Sequence, residues 1–164
     1  MSLADLQKQL AASLAGRGET PAGLEETAVD RARRSLESKR RRAAAHLLPR
    51  LRTALEDAWN PRFHEHAAAY NPTGMLHHVD DAWELAETLR RHPDLQVARA
   101  AHDDLLMLKL CYQRDRRSGA ERIRERRGLV VGLVWRPTRR IVVRWPGRGG
   151  RVWSWPPFRT IAVA

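Results

Sequence analysis

Through the first two-thirds of the chain, apolar residues recur at the three- and four-residue spacings of helices that bury one face. Leu3, Leu6, Leu10 and Leu14 make the first stripe. Ser2 is placed to cap it, Asp5 suits its first turn, and Gly16 closes it. Residues 16–23 (GRGETPAG) read as a loop. A second helix is predicted over 24–47, with Ala28, Ala32, Leu36, Ala43 and Leu47 along one face. Pro49 interrupts, and a third helix carries Leu51, Leu55 and Ala58 up to Trp59. Asn60-Pro61 has the form of an N-cap followed by proline at the first helical position, opening a fourth helix with Phe63, Ala67 and Tyr70 on one face. After a loop at 71–78, Asp80 or Asp81 opens a fifth, with Val79, Trp83, Ala86 and Leu89 inward and His92-Pro93 as its stop. A sixth uses Ala98, Ala101, Leu105, Leu108 and Tyr112. Residues 106–112 also alternate like a strand, and the longer helical repeat decides in favour of helix.

Beyond residue 112 the pattern changes. Residues 113–127 (QRDRRSGAERIRERR) are polar and are predicted to be a mobile connector with a short helical part. Residues 129–135 (LVVGLVW), 140–145 (RIVVRW) and 151–155 (RVWSW) are β-branched and aromatic runs separated by short Pro- and Gly-containing turns. Pro156-Pro157 ends them. The expected fold is therefore α+β: an N-terminal bundle of about six helices in 1–113 and a basic connector at 114–127. A small antiparallel three-stranded β-meander at 128–158 and a tail at 159–164 complete it.

Charge changes the picture. The 164 residues carry a net charge of +11, unevenly spread. Residues 1–113 hold 16 Lys and Arg against 16 Asp and Glu, whereas 114–151 hold 13 Arg against 3 acids. Such a concentration of cations points to an anionic partner. The single cysteine, Cys111, excludes an intramolecular disulfide. The start MSLADLQKQL lacks the apolar run of a signal peptide, and no stretch reaches the roughly 18 apolar residues of a membrane span. The expected location is cytoplasmic, without membrane association.

The sequence holds little that resembles catalytic chemistry. His64, His66, His77 and His78 cluster around Glu65, but helix positions two apart diverge by about 200°, so His64 and His66 do not converge on one metal. No HExxH, Cys/His zinc spacing, P-loop, GxGxxG or GxSxG is present. The expectation is a chain with no catalytic residue, no metal and no cofactor. The meander is the most informative segment, with four of the six tryptophans. In its second strand Ile141, Val143 and Trp145 alternate with Arg140, Val142 and Arg144, so that one face is expected to cover the helices and the other to offer arginine. Its edges leave backbone groups to which an extended peptide can add. Arg139, Arg140, Arg144, Trp145, Trp153 and Trp155 are the candidate peptide-binding residues.

A resemblance sharpens this reading. The start MSLADLQKQL, the segment 38–70 (SKRRRAAAHLLPRLRTALEDAWNPRFHEHAAAY), the run DDAWELAETLR and the arginine-rich β-tail together resemble the precursor-binding partner proteins of the multinuclear non-heme iron-dependent oxidative enzymes. Those enzymes modify ribosomally made peptides. The resemblance implies an accessory protein that binds the acidic leader of a precursor peptide, forms a heterodimer with the iron enzyme and presents the substrate to it without itself holding metal. A nucleic-acid-binding module that uses the basic, tryptophan-rich ribbon is the alternative. No DNA- or RNA-binding signature accompanies it.

Overall fold

A computed structural model describes residues 2–16, 18–72, 75–115, 122–126, 130–134, 140–144 and 152–155. The chain is α+β and mainly helical. Helices α1 (Leu3–Leu14), α2 (Glu26–Leu47), α3 (Pro49–Leu55), α4 (Trp59–Ala69), α5 (His77–Leu89) and α6 (Leu95–Cys111) are followed by two small sheets, with a 3₁₀ turn at Glu56–Ala58. Strands β1 (Tyr112–Asp115) and β2 (Arg122–Glu125) form an antiparallel pair. Strands β3 (Val130–Val134), β4 (Arg140–Arg144) and β5 (Val152–Trp155) form an antiparallel sheet in that order. Among the described residues no helix is long and apolar enough to cross a membrane.

The core sits where α5 meets α2 and α6, and where α3 meets α6. Leu48, Leu51, Phe63, Val79, Ala86 and Ala101 are among its fully or nearly fully buried members. α1 begins on a reciprocal capping box: the Asp5 amide donates to Ser2 Oγ at 3.2 Å, and the Ser2 amide donates to the Asp5 carboxylate at 2.9 Å. Gly16 follows the helix at φ +74°, where a side chain would be strained. α6 starts on Asp94, whose carboxylate accepts from the Gln96 amide at 2.7 Å.

Several expectations need correction. On α2 the buried residues are Val29 and Ala44, while Ala28, Ala32 and Leu36 are exposed and Ala43 and Leu47 half-buried. Besides the apolar packing of Val29, Ala44, Ala45 and Leu47, two arginines hold the helix. Arg33 donates to the Ser13 carbonyl at the end of α1 from Nε (3.1 Å) and Nη2 (2.8 Å), and Arg40 reaches α5. α4 starts at Trp59, so Pro61 is its third residue rather than its first. Proline is tolerated there because first-turn amides have no partner within the helix. α5 starts at His77, which leaves Asp80 and Asp81 inside the helix and buried. Within the predicted connector, residues 113–115 belong to β1 and 122–125 to β2, while 116–121 lie outside the described residues. α6 ends at Cys111, and Tyr112 leaves it with extended backbone (φ −130°, ψ 159°).

Candidate interaction surface

Two adjacent aspartates organise the helical body. Arg40 grips Asp81 with both arms of its guanidinium, Nε to Oδ2 at 2.9 Å and Nη2 to Oδ1 at 2.7 Å, and Nη2 also donates to the Tyr70 carbonyl at 2.8 Å. His66 Nε2 lies 3.3 Å from Asp81 Oδ1. The Asp81 side chain is 0% exposed. Burial pushes its carboxyl up, but the hydrogen bonds and charges of Arg40 and His66 outweigh this and hold it below the usual carboxylate value. The neighbouring Asp80 accepts from the Tyr70 hydroxyl at 2.7 Å and from Arg114 Nη2 at 2.8 Å. Burial raises the Tyr70 phenol well above its ordinary value, reinforced by the bond to Asp80, so it remains a donor.

Arg114 is the link from this body to the strands. It lies on β1, 10% exposed, pairs with both Asp80 and Glu84, and stacks on the Trp83 ring at 5.1 Å from its centroid. Lys109 lies over the same ring at 5.8 Å and donates to Glu87 at 3.0 Å. Arg126, after β2, donates to the Tyr112 carbonyl at 3.0 Å. Two of the arginines that make the tail basic are thus engaged inside the molecule. Tyr112 and Ile123 pack against the core, with Ile123 opposite Arg114 across the pair.

A second buried ion pair joins α3 to α6. Asp104 Oδ1 accepts from Arg50 Nη1 and Oδ2 from the Leu51 amide, each at 2.9 Å. Burial dominates here and pushes the Asp104 carboxyl up to about 6, against the pull of these donors.

The histidines separate as helical geometry requires. His64 is exposed with Nδ1 3.1 Å from Glu37, and His66 turns inward to Asp81. His77 and His78 meet edge to face at 5.6 Å, and burial lowers the His78 imidazole's proton affinity, with His77 adding to the effect. Among the described residues no group of three or more His, Cys, Asp or Glu could hold a metal ion.

In the second sheet, Arg139 and Trp145 lie outside the described residues. Arg140 and Arg144 terminate β4, and Trp153 and Trp155 lie on β5. Trp153 pairs with Val143 and Trp155 with Ile141, while Arg144 pairs with Val152. On β3, Val131 pairs with Val143, Leu133 with Ile141, and Val130 with Arg144. Cross-strand partners share a face. The tryptophan positions therefore fall with Val131, Leu133, Ile141 and Val143, and Arg140 and Arg144 fall on the opposite face. On one face Val131 is 57% exposed and Val143 half-buried, and on the other Val130 is half-buried. β3 contacts α6, and among the described residues β5 forms the far edge of the sheet.

A family model described as SCO6045-like, C-terminal domain, matches residues 4–91, more than half of the chain. The chain belongs to this family. The SCO6045-like segment contains Arg40, His66, Tyr70, Asp80, Asp81 and Glu84, so most of the buried polar network lies within it. Asp104, Arg114 and the strands lie beyond the matched residues. Comparisons with curated proteins and with solved structures return no match.

The residues that sequence reasoning missed are the charged members of this network: Arg40, Arg114, Asp80, Asp81 and Asp104. One signal was available. Asp81 lies between Val79 and Trp83 on a helix whose apolar positions point inward, which places a carboxylate at the boundary of the core.

Proposed function

We propose that this protein is a non-catalytic accessory protein that binds an acidic precursor peptide as an added strand and presents it to an iron-dependent oxidative enzyme in a heterodimer. The observation that carries the peptide part is the order β3-β4-β5, which among the described residues leaves β5 at the edge away from the strand that contacts α6. An edge strand has backbone donors and acceptors directed away from its sheet, and an extended peptide pairs with them whatever its side chains. The arginine excess of residues 114–151 selects acidic peptides from that pool. The helical body, locked by buried ion pairs, supplies the rigid platform. The iron enzyme enters through the resemblance of the sequence to its partner proteins, and Arg139, Arg140, Arg144, Trp145, Trp153 and Trp155 remain the proposed peptide-binding residues.

The same charge excess favours a second reading, a nucleic-acid-binding module. The sheet register supports it less. Stacking on tryptophan beside phosphate contacts from arginine calls for both on one surface, and Arg140 and Arg144 fall on the face opposite Trp153 and Trp155. Side-by-side anisotropy titrations of a labelled acidic peptide and a labelled oligonucleotide test the choice. Saturable peptide binding that depends on peptide sequence supports the accessory role. Tight, sequence-blind oligonucleotide binding with a steep salt dependence and no peptide binding would transfer the function to nucleic acid.

A further inference from the structure

The sheet has two chemically different faces, and a strand added to its edge acquires both. Arg140 and Arg144 take positions on one face, with Val130, Val142, Val152 and Ser154. Trp153 and Trp155 take positions on the other, with Ile141 and Val143. Because side chains alternate along any strand, successive residues of an added peptide meet the two faces in turn.

We infer that the peptide taken by the β5 edge alternates acidic and apolar residues, the acids on the arginine face and the apolar residues on the tryptophan face. This rests on the peptide-binding reading above and specifies its ligand. The arginines stand on β4, so an added strand lies two strand spacings from them, about 10 Å. The residues between, Val152 and Ser154, are short. A charge pair across that gap needs both side chains to span it, so a peptide glutamate, longer by one methylene, closes more of it than an aspartate. The apolar residues of the peptide fall directly beside the β5 positions of Trp153 and Trp155, with no strand between. The peptide class is therefore of the pattern Glu-apolar-Glu-apolar, and neither a block of acids nor a block of hydrophobes fits it.

The test leaves the protein unchanged and varies the peptide. The full chain is titrated by anisotropy with a labelled peptide alternating Glu and Val, with its block isomer of the same composition, and with the alternating Asp and Val analogue. Each mismatched cross-strand position is weak alone, but several together make the block isomer at least about tenfold weaker than the alternating peptide. The Asp analogue falls between them. A charge pair in contact with water contributes at most about fivefold, and raising the salt removes that part. Equal affinity for the alternating and block peptides overturns the alternation while leaving peptide binding intact. No binding of any of the three overturns the peptide-binding reading itself.

Discussion

Replacing Arg40 with methionine isolates what the buried pair between α2 and α5 contributes. The substitution keeps the length of the side chain and removes two charged hydrogen bonds to Asp81 and one to the Tyr70 carbonyl. It leaves a carboxylate with no exposed surface and only His66, 3.3 Å away, as its remaining partner in this network. Breaking a buried ion pair on one side costs about 3–5 kcal/mol, because the abandoned charge stays desolvated. For a chain of this length each kcal/mol moves the melting temperature by about 2–4 °C, so Arg40→Met should lower it by roughly 6–20 °C. The double change Arg40→Met with Asp81→Leu removes both charges, and apolar replacement of a whole buried pair is often neutral. It should recover most of the loss. The pair also makes a pH signature. Its folded carboxyl is depressed below the ordinary 3.8, so the stability it contributes is complete above that value and is lost as pH falls through the folded value. Urea denaturation followed by tryptophan fluorescence between pH 2.5 and 7 reads both effects. A cost below about 1 kcal/mol for Arg40→Met, or a double variant as weak as the sum of the single ones, would refute the reasoning.

Asp104 has the opposite pH dependence. With its folded carboxyl near 6 and its ordinary value 3.8, the folded state binds the extra proton between them, so stability should fall as pH rises from about 4 to 6. The urea midpoint should show this slope in the native protein, worth at most about 3 kcal/mol, and lose it in Asp104→Asn, which keeps an acceptor for the Leu51 amide. Arg114→Ala should cost about 1.5–3 kcal/mol and speed amide exchange in β1 and β2, because the guanidinium holds them on Asp80, Glu84 and Trp83. Arg114→Lys should restore only part of that protection, since an ammonium lacks the planar fork; full restoration would reduce the clamp to simple charge. A chain ending at residue 113 should keep its helical circular dichroism but melt at lower temperature, having lost Arg114 and the packing of Ile123; an unfolded product would make the strands part of the obligatory core.

The helices were legible because burial in them is mostly apolar and periodic. Val79, Trp83, Ala86 and Leu89 all lie inside, as their spacing predicts. Periodicity stops reporting burial where charge takes the place of hydrophobicity. On α2 the spacing of Ala28, Ala32 and Leu36 points to residues that are exposed, while the hydrogen-bonded contact with Asp81 of α5 comes from Arg40, a residue that in sequence is one member of a basic run. The strand β1 was hidden for the same reason. Its two-residue alternation places Tyr112 and Arg114 on one side, but the second inward position is an arginine satisfied by Asp80 and Glu84 across 30 or more residues of chain, a partnership no local pattern displays. The β-branched runs in the second sheet were legible as strands. Alternation along one strand already set Arg140 and Arg144 opposite Trp145, but their segregation from Trp153 and Trp155 was not legible, because it depends on the register between β4 and β5.

The most direct test of the proposed peptide-binding edge is amide hydrogen exchange of the full chain with and without a saturating acidic, alternating peptide. An added strand supplies acceptors to the outward amides of β5, so exchange across residues 152–155 should slow while the amides of α1 to α5 keep their rates. Unchanged exchange at 152–155 with the peptide bound would place the binding elsewhere and contradict the account.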